Sequence, residues 1–259
     1  MLLQTDHLTV CFHPQTVLRD ISFGIAPGET VAIIGESGCG KTVLLKNLIG
    51  LIRPTDGVIR FDGQDITQLS DAELAQIRIR YGFVFQQAAL FDSMTIEDNL
   101  LFPMIQHSKL PREQMSKTIR ALLEEVGLSE NVLTKKPAEL SGGMRKRVGI
   151  ARALVLNPEI MLYDEPTTGL DPIMTDVINK LMRQMGRDHD ITSIIVTHDM
   201  STVRDVATRV IMLYPIARLK PDENQILYDG DPCGIEQCSD PRVLDFVHGD
   251  GSSRLREGM

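Results

Sequence analysis

Three features of the sequence predict an α/β fold. Short apolar runs alternate with stretches of helical periodicity, the pattern of a parallel sheet with crossover helices. A glycine-rich octapeptide, Gly35-Glu36-Ser37-Gly38-Cys39-Gly40-Lys41-Thr42, lies between one such run and a helical pattern. A later run, residues 160–163, ends in the paired carboxylates Asp164 and Glu165. The expected architecture is a parallel α/β core with an N-terminal antiparallel β patch and an α-helical subdomain inserted at about residues 87–158. Residues 1–235 are expected as one domain and 236–259 as a C-terminal tail.

Residues 8–12, 17–25 and 58–61 alternate apolar and polar side chains between Gly, Pro and Asp punctuation, which predicts the short strands of the antiparallel patch. Residues 30–34 form a buried type of strand. Residues 41–51 carry Leu44, Leu45, Leu48 and Ile49 at helical spacing. From about 70 to 153 helical patterns dominate, including 112–126 and 144–155, with Pro103, Pro111 and Pro137 as punctuation and a short strand at 82–85. Strand character returns at 160–163, 191–196 and 210–213, and a helix is expected at 172–185. Pro215, Lys220, Pro221, Asp222 and Asn224 predict a long loop over 214–228. The composition after Gly230 turns polar, and residues 249–259 are expected to fray.

The chain of 259 residues is 42% hydrophobic, ample for a buried core. Its net charge of −8 argues against a general nucleic-acid binder, because backbone affinity for phosphate needs Lys and Arg in excess. The one dense basic patch, residues 145–147, suits a local partner instead. No apolar run approaches the roughly 18 residues of a membrane span, and the N-terminus lacks the pattern of a secretion signal, so a cytoplasmic location is expected. Cys11, Cys39, Cys233 and Cys238 match neither a zinc site nor a disulfide framework and are expected as reduced thiols.

The octapeptide fits the P-loop pattern, in which glycines let backbone N–H groups turn inward around phosphates at a helix N-terminus. Gly35, Ser37, Gly38, Cys39 and Gly40 would form the cradle, Lys41 would reach the β- and γ-phosphates of ATP, and Thr42 would bind Mg2+. The competing reading is a flexible glycine-rich turn. At the carboxyl edge of a parallel sheet, Asp164 suits Mg2+ coordination and Glu165 suits polarising the water that attacks the γ-phosphorus. Taken alone, such an Asp-Glu pair is more often a strand meeting solvent.

Leu140-Ser141-Gly142-Gly143-Met144, shortly before the acidic strand, resembles the signature of ABC ATPases. The other marks of that family follow in order: Gln86 after the strand at 82–85, Gly169-Leu170-Asp171-Pro172 after the acidic strand, and His198 after the strand at 191–196. Singly, these would be a surface amide, a helix N-cap and a strand-end histidine. The resemblance spans about residues 2–230 and implies a P-loop NTPase fold of the ABC ATPase type. It further implies that Ser141, Gly142 and Gly143 clamp the γ-phosphate on the P-loop of a second copy, giving a head-to-tail dimer with two ATP molecules sandwiched between subunits. On the same resemblance, Gln86 senses Mg2+ and the attacking water and links to the transport partner. His198 contacts the γ-phosphate, and Asp171 couples the two sites. Phe12 is expected to stack on adenine, against a competing role in the core of an alternating strand. Met144 stands where Gln is usual, and Gly169 and Leu170 where Ser and Ala are common; neither change removes a phosphate donor.

Residues 89–95, 99–103, 140–154 and 240–249 resemble the ATPases of the Mla branch, which serve lipid-transport systems with MCE-domain proteins. That likeness implies two copies on the cytoplasmic face of a membrane permease, with an MCE-domain protein as a further partner. The near alternative is the ATPase of an amino-acid or peptide importer. A non-transport ABC ATPase usually carries tandem domains or a long coiled-coil insertion, and this sequence shows neither; a regulator that never turns over is disfavoured by Glu165 and His198. Cys39 in the P-loop is expected as a small residue that fits, rather than as a redox group.

Overall fold

A computed structural model describes residues 1–251. In chain order the elements are β1 (Leu3–Phe12), β2 (Gln15–Ile25), β3 (Thr30–Gly35), α1 (Lys41–Leu48), β4 (Asp56–Phe61), β5 (Gln64–Asp65), α2 (Asp71–Arg78), β6 (Tyr81–Val84) and α3 (Ile96–His107). There follow α4 (Arg112–Glu125), α5 (Gly142–Leu154), β7 (Ile160–Asp164), α6 (Pro172–Asp188), β8 (Thr192–Val196), α7 (Met200–Val206), β9 (Arg209–Leu213), β10 (Ile226–Gly230) and α8 (Pro241–His248). The chain divides into two compact units, Met1–Leu74 with 195–251, and Ala75–Ile194.

In the first unit, β2, β1, β4 and β5 form an antiparallel sheet in that order. β1 buries Leu3, Thr5, Leu8 and Val10 and pairs with β2 through Leu3↔Ile25 and Thr5↔Phe23. It begins earlier than the expected residue 8 because Gln4 and Asp6 face outward while Thr5 turns its hydroxyl to the N–H of Phe23 at 3.1 Å. A period of two survives in the burial although it is weak in the composition. β3 and β9 run parallel, with Val31↔Arg209 and Gly35↔Leu213 opposed, and β10 closes on β9 antiparallel. Residues 31–35 are all buried, as a strand covered on both faces requires.

Helix α1 ends at Leu48 rather than residue 51. Gly50 adopts φ 65°, its N–H donates to Asn47 O and that of Leu51 to Lys46 O, both at 2.8 Å, which is the left-handed stop that only glycine takes at low cost. The loop expected over 214–228 is shorter, because β10 begins at Ile226 and a 3-10 turn occupies Ile216–Arg218. Within the stretch expected as a tail, α8 buries Val243 and Val247 against Ala32, Ile34, Val210, Met212 and Ile235. The expected fraying at 249–259 falls, from residue 252 on, outside the described residues.

In the second unit, β6 lies parallel to β7 with Gly82↔Met161 opposed, and β8 flanks β7. Helices α3, α4 and α5 pack on one another, α4 through the stripe Met115, Ile119, Leu122 and Leu123. Pro103, expected as punctuation, lies inside α3. A proline there removes one helical bond, and the burial of Ile96, Leu100, Leu101 and Met104 offsets that loss. Asp171 caps α6, accepting from the Met174 N–H at 3.0 Å, and α6 buries Ile178, Leu181, Met182 and Met185.

Candidate functional site

The glycine-rich loop joins β3 to α1 in the first unit. Gly35 (φ 143°) and Gly40 (φ 101°) occupy left-handed backbone; a Cβ on Gly35 would lie 2.2 Å from Leu213 O, and one on Gly40 2.7 Å from Leu18 Cδ2. Glycine is thus required by conformation and by space. The Lys41 ammonium folds back over the loop and donates to Gly35 O at 2.7 Å and Glu36 O at 2.9 Å. Ser37, Gly38 and Thr42 are exposed, and α1 has no acidic side chain in its first turn to compete for an anion. Burial pushes the Cys39 thiol up, with the Lys41 charge pulling partly against it, so the sulfur stays protonated and unreactive as a small buried group.

Two groups that sequence reasoning did not single out hold this loop. Gln225 is fully buried; its Nε2 donates to Cys39 O at 3.0 Å and Val17 O at 3.1 Å, and its Oε1 accepts from the Arg19 N–H at 2.8 Å. Arg218 donates to the Glu36 carboxylate at 2.6 Å. Both lie in the segment expected only as loop, where nothing but an unusual length marked them. His198 follows β8 on an exposed corner capped by Asp199, and it lines with Glu36, Tyr214, Arg218 and Arg242 a cleft of about 720 Å³. Phe12, at the end of β1, is 48% exposed, so its ring is available for stacking and is no core residue.

The second unit carries the acidic strand. Residues 160–163 of β7 are buried and Asp164 and Glu165 emerge at its end. Glu165 has φ 49°, uncommon for a residue with a side chain, and its Oε2 accepts from the Thr168 hydroxyl at 3.0 Å. Ser141 caps α5, accepting from the Met144 N–H at 3.2 Å, while Ser141 and Gly142 remain exposed. Gly143 is buried against α6, where a Cβ would come within 2.5 Å of Met174 Cε. Lys146, one turn further along α5, is buried and reaches the turn that follows Glu165.

Gln86 is exposed just beyond β6, on a loop where Ala88 (φ 59°) and Ala89 (φ 46°) are both left-handed. Arg152 holds that conformation by donating to Ala88 O and Ala89 O, each at 2.9 Å. Asn99 braces its far side through Phe91 and Thr95. Gln86, Gly142, Arg145, Lys146 and Gly169 line one cleft of about 640 Å³. Asp171 is exposed at the start of α6.

The first unit therefore carries the loop 35–42 and His198, which shares a cleft with Glu36, and the second carries Asp164, Glu165, Ser141, Gly143 and Asp171, with Gln86 and Gly142 in one cleft. A polyphosphate fits the former: a loop closed to a Cβ at Gly35 and Gly40, a helix N-terminus, and one ammonium bonded to two carbonyls that a phosphate can replace, with Cys39 Sγ at 3.9 Å. The Thr42 hydroxyl and the Asp164 carboxylate are hard oxygen donors of the kind Mg2+ takes.

The ABC transporter family profile matches residues 18–168. The probable ribonucleotide transport ATP-binding protein mkl of Mycobacterium leprae is 38% identical over 95% of this chain and 69% of its own length. The intermembrane phospholipid transport system ATP-binding protein MlaF of Haemophilus influenzae is 36% identical over 98% of this chain and 93% of its own. The methionine import ATP-binding protein MetN of Carboxydothermus hydrogenoformans is 43% identical over 75% of this chain and 57% of its own. Among solved structures, a dimeric ATP-binding cassette in a post-hydrolysis state bound to ADP and Pi is 32% identical with a TM-score of 0.77, covering 89% of this chain and 98% of that one.

Proposed function

The chain belongs to the ABC transporter family as an ATP-binding, ATP-hydrolysing subunit, and from that premise we propose that it works as one of a head-to-tail pair powering a phospholipid permease of Mla type. Each ATP is held by the loop 35–42 of one copy and closed by Ser141, Gly142 and Gly143 of the other. The backbone amides at the N-terminus of α5 face the γ-phosphate there, preorganised donors of the kind worth about 10²–10³ in rate apiece. Phe12 stacks on adenine, and Lys41 moves from the Gly35 and Glu36 carbonyls to the β- and γ-phosphates.

In hydrolysis a water oxygen forms a bond to the γ-phosphorus while the bond to the β–γ bridging oxygen breaks. Glu165 takes the water proton, and ADP and phosphate leave. Thr42, Asp164 and Gln86 would hold Mg2+, which when bound would neutralise charge on the phosphates. His198 contacts the γ-phosphate, and Asp171 carries the state of one site to the other. Gln86, on a loop held rigid by Arg152, joins this chemistry to the transport partner.

The observation that carries the lipid assignment is the extent of the likeness to MlaF, which runs through 98% of this chain, whereas that to MetN stops at 75%. A docking face for membrane subunits is supported by Phe91, Phe102 and Ile105, 43%, 39% and 57% exposed in the second unit. Among the described residues no helix is long and apolar enough to cross a membrane. The likeness to transporter ATP-binding subunits supports a place on the inner face through the permease. The higher local identity to MetN favours the second reading, an amino-acid importer. Purifying the full chain with its membrane complex and identifying what is bound separates the two: phospholipid and an MCE-domain protein are expected, and a soluble solute receptor instead would overturn the lipid assignment.

A further inference from the structure

We infer that Lys146 is a positioning residue that locks the turn carrying Glu165 to the signature helix α5. The residue is 6% exposed, and its ammonium meets three backbone carbonyls: Pro166 O at 2.7 Å, Thr168 O at 3.2 Å and Glu165 O at 3.3 Å. Three N–H donors face three acceptors, all from the single turn between β7 and Asp171. The turn needs such a hold. Glu165 sits in left-handed backbone at φ 49°, a strained conformation that persists only where its surroundings over-determine it. Within the turn, Thr168 N–H donates to Glu165 O at 3.3 Å, Leu170 N–H to Thr167 O at 3.2 Å, and the Thr168 hydroxyl to Glu165 Oε2 at 3.0 Å.

Lys146 also belongs to α5, one turn behind the Ser141 cap, in a helix already seated on α6 through Gly143 and Met174. Any movement of α5 on engaging a phosphate is thereby passed to the carbonyl of Glu165 itself. An apolar side chain of similar length would fill the space and take the ammonium donor from all three carbonyls, of which that of Glu165 keeps the Thr168 N–H. The inference rests on the reading above, in which Glu165 polarises the attacking water and α5 faces the nucleotide of a second copy.

The test compares Lys146→Met, Lys146→Gln, Glu165→Gln and the double variant Lys146→Met/Glu165→Gln in the full chain, by steady-state hydrolysis and equilibrium ATP binding. Displacing a catalytic group by about 1 Å costs on the order of 10²-fold, so Lys146→Met is expected to lower kcat about 30-fold with KM and ATP affinity within about twofold. Lys146→Gln, which keeps an amide donor, is expected to recover about a third of wild-type kcat. Because Lys146 acts through Glu165, the double variant is expected to hydrolyse at the residual rate of Glu165→Gln within about twofold. Wild-type kcat in Lys146→Met, a loss confined to ATP affinity, or multiplied losses in the double variant would overturn the inference. If Lys146→Met does not fold, Lys146→Gln decides: reduced kcat at constant KM supports the role, and unchanged kcat removes it. Wild-type hydrolysis by Glu165→Gln overturns the role of Glu165 instead, a separate outcome.

Discussion

Asp199 shows how one carboxylate sets the corner beside His198. Its Oδ1 accepts from the Ser201 N–H at 2.9 Å and hydroxyl at 2.7 Å, and its Oδ2 from the Thr202 hydroxyl at 2.9 Å, capping α7. Partial burial pushes this carboxyl up, but the donations from Ser201 and Thr202 outweigh it and hold it below the ordinary 3.8. A depressed folded-state value means stability present above the unfolded pKa and lost as pH falls through the folded one. Asp199→Ala is expected to cost about 1 kcal/mol at pH 7. The gap to wild type should narrow below about pH 4, and urea unfolding at the two pH values checks it. A contiguous motif in the sequence is what raised the expectations for Lys41, Thr42 and Ser141. The contacts of Lys146 were not legible: it lies in a basic run expected to meet a local partner and is instead buried with three carbonyls of its own chain.

Loop 214–225 has no periodicity, so its sequence predicted length and nothing more. In the fold it is a brace: Arg19 donates to Lys220 O and Glu223 O, Arg242 pairs with Glu223, and Gln225 reaches the glycine-rich loop. Gln225→Ala orphans Val17 O, Cys39 O and the Arg19 N–H at once, so a loss of about 1–3 kcal/mol in stability is expected, with weaker ATP binding. Urea unfolding and titration with a fluorescent ATP analogue measure both; unchanged values in each would remove the brace. The neighbouring elements differ from expectation for related reasons. Helix α3 continues through Pro103 because its apolar face is buried, and α8 forms within a polar stretch because Val243 and Val247 find Ile34 and Met212 to cover. Propensity and composition act locally, and burial by distant partners overrides them.

At the scale of the whole molecule, the proposed pair makes the glycine-rich loop only half of a working site. Ser141→Arg puts a bulky cation at the exposed N-terminus of α5, where the phosphate of a second copy is expected. Hydrolysis should then be abolished while ATP binding by the separate chain stays within about threefold, since that substitution touches no residue of 35–42. Surviving hydrolysis in a phosphate-release assay would show that α5 does not complete the site. What the sequence determined alone was the family: the glycine-rich loop, the acidic strand and the signature are contiguous segments, and their residue types and order carried it. Only the tertiary structure decided how those segments are held in place. Gln225 meets Cys39 across 186 residues, and Lys146 meets the turn after Glu165 across some 20. A hydrogen bond of that span depends on which backbone groups folding buries together, and no local pattern records it.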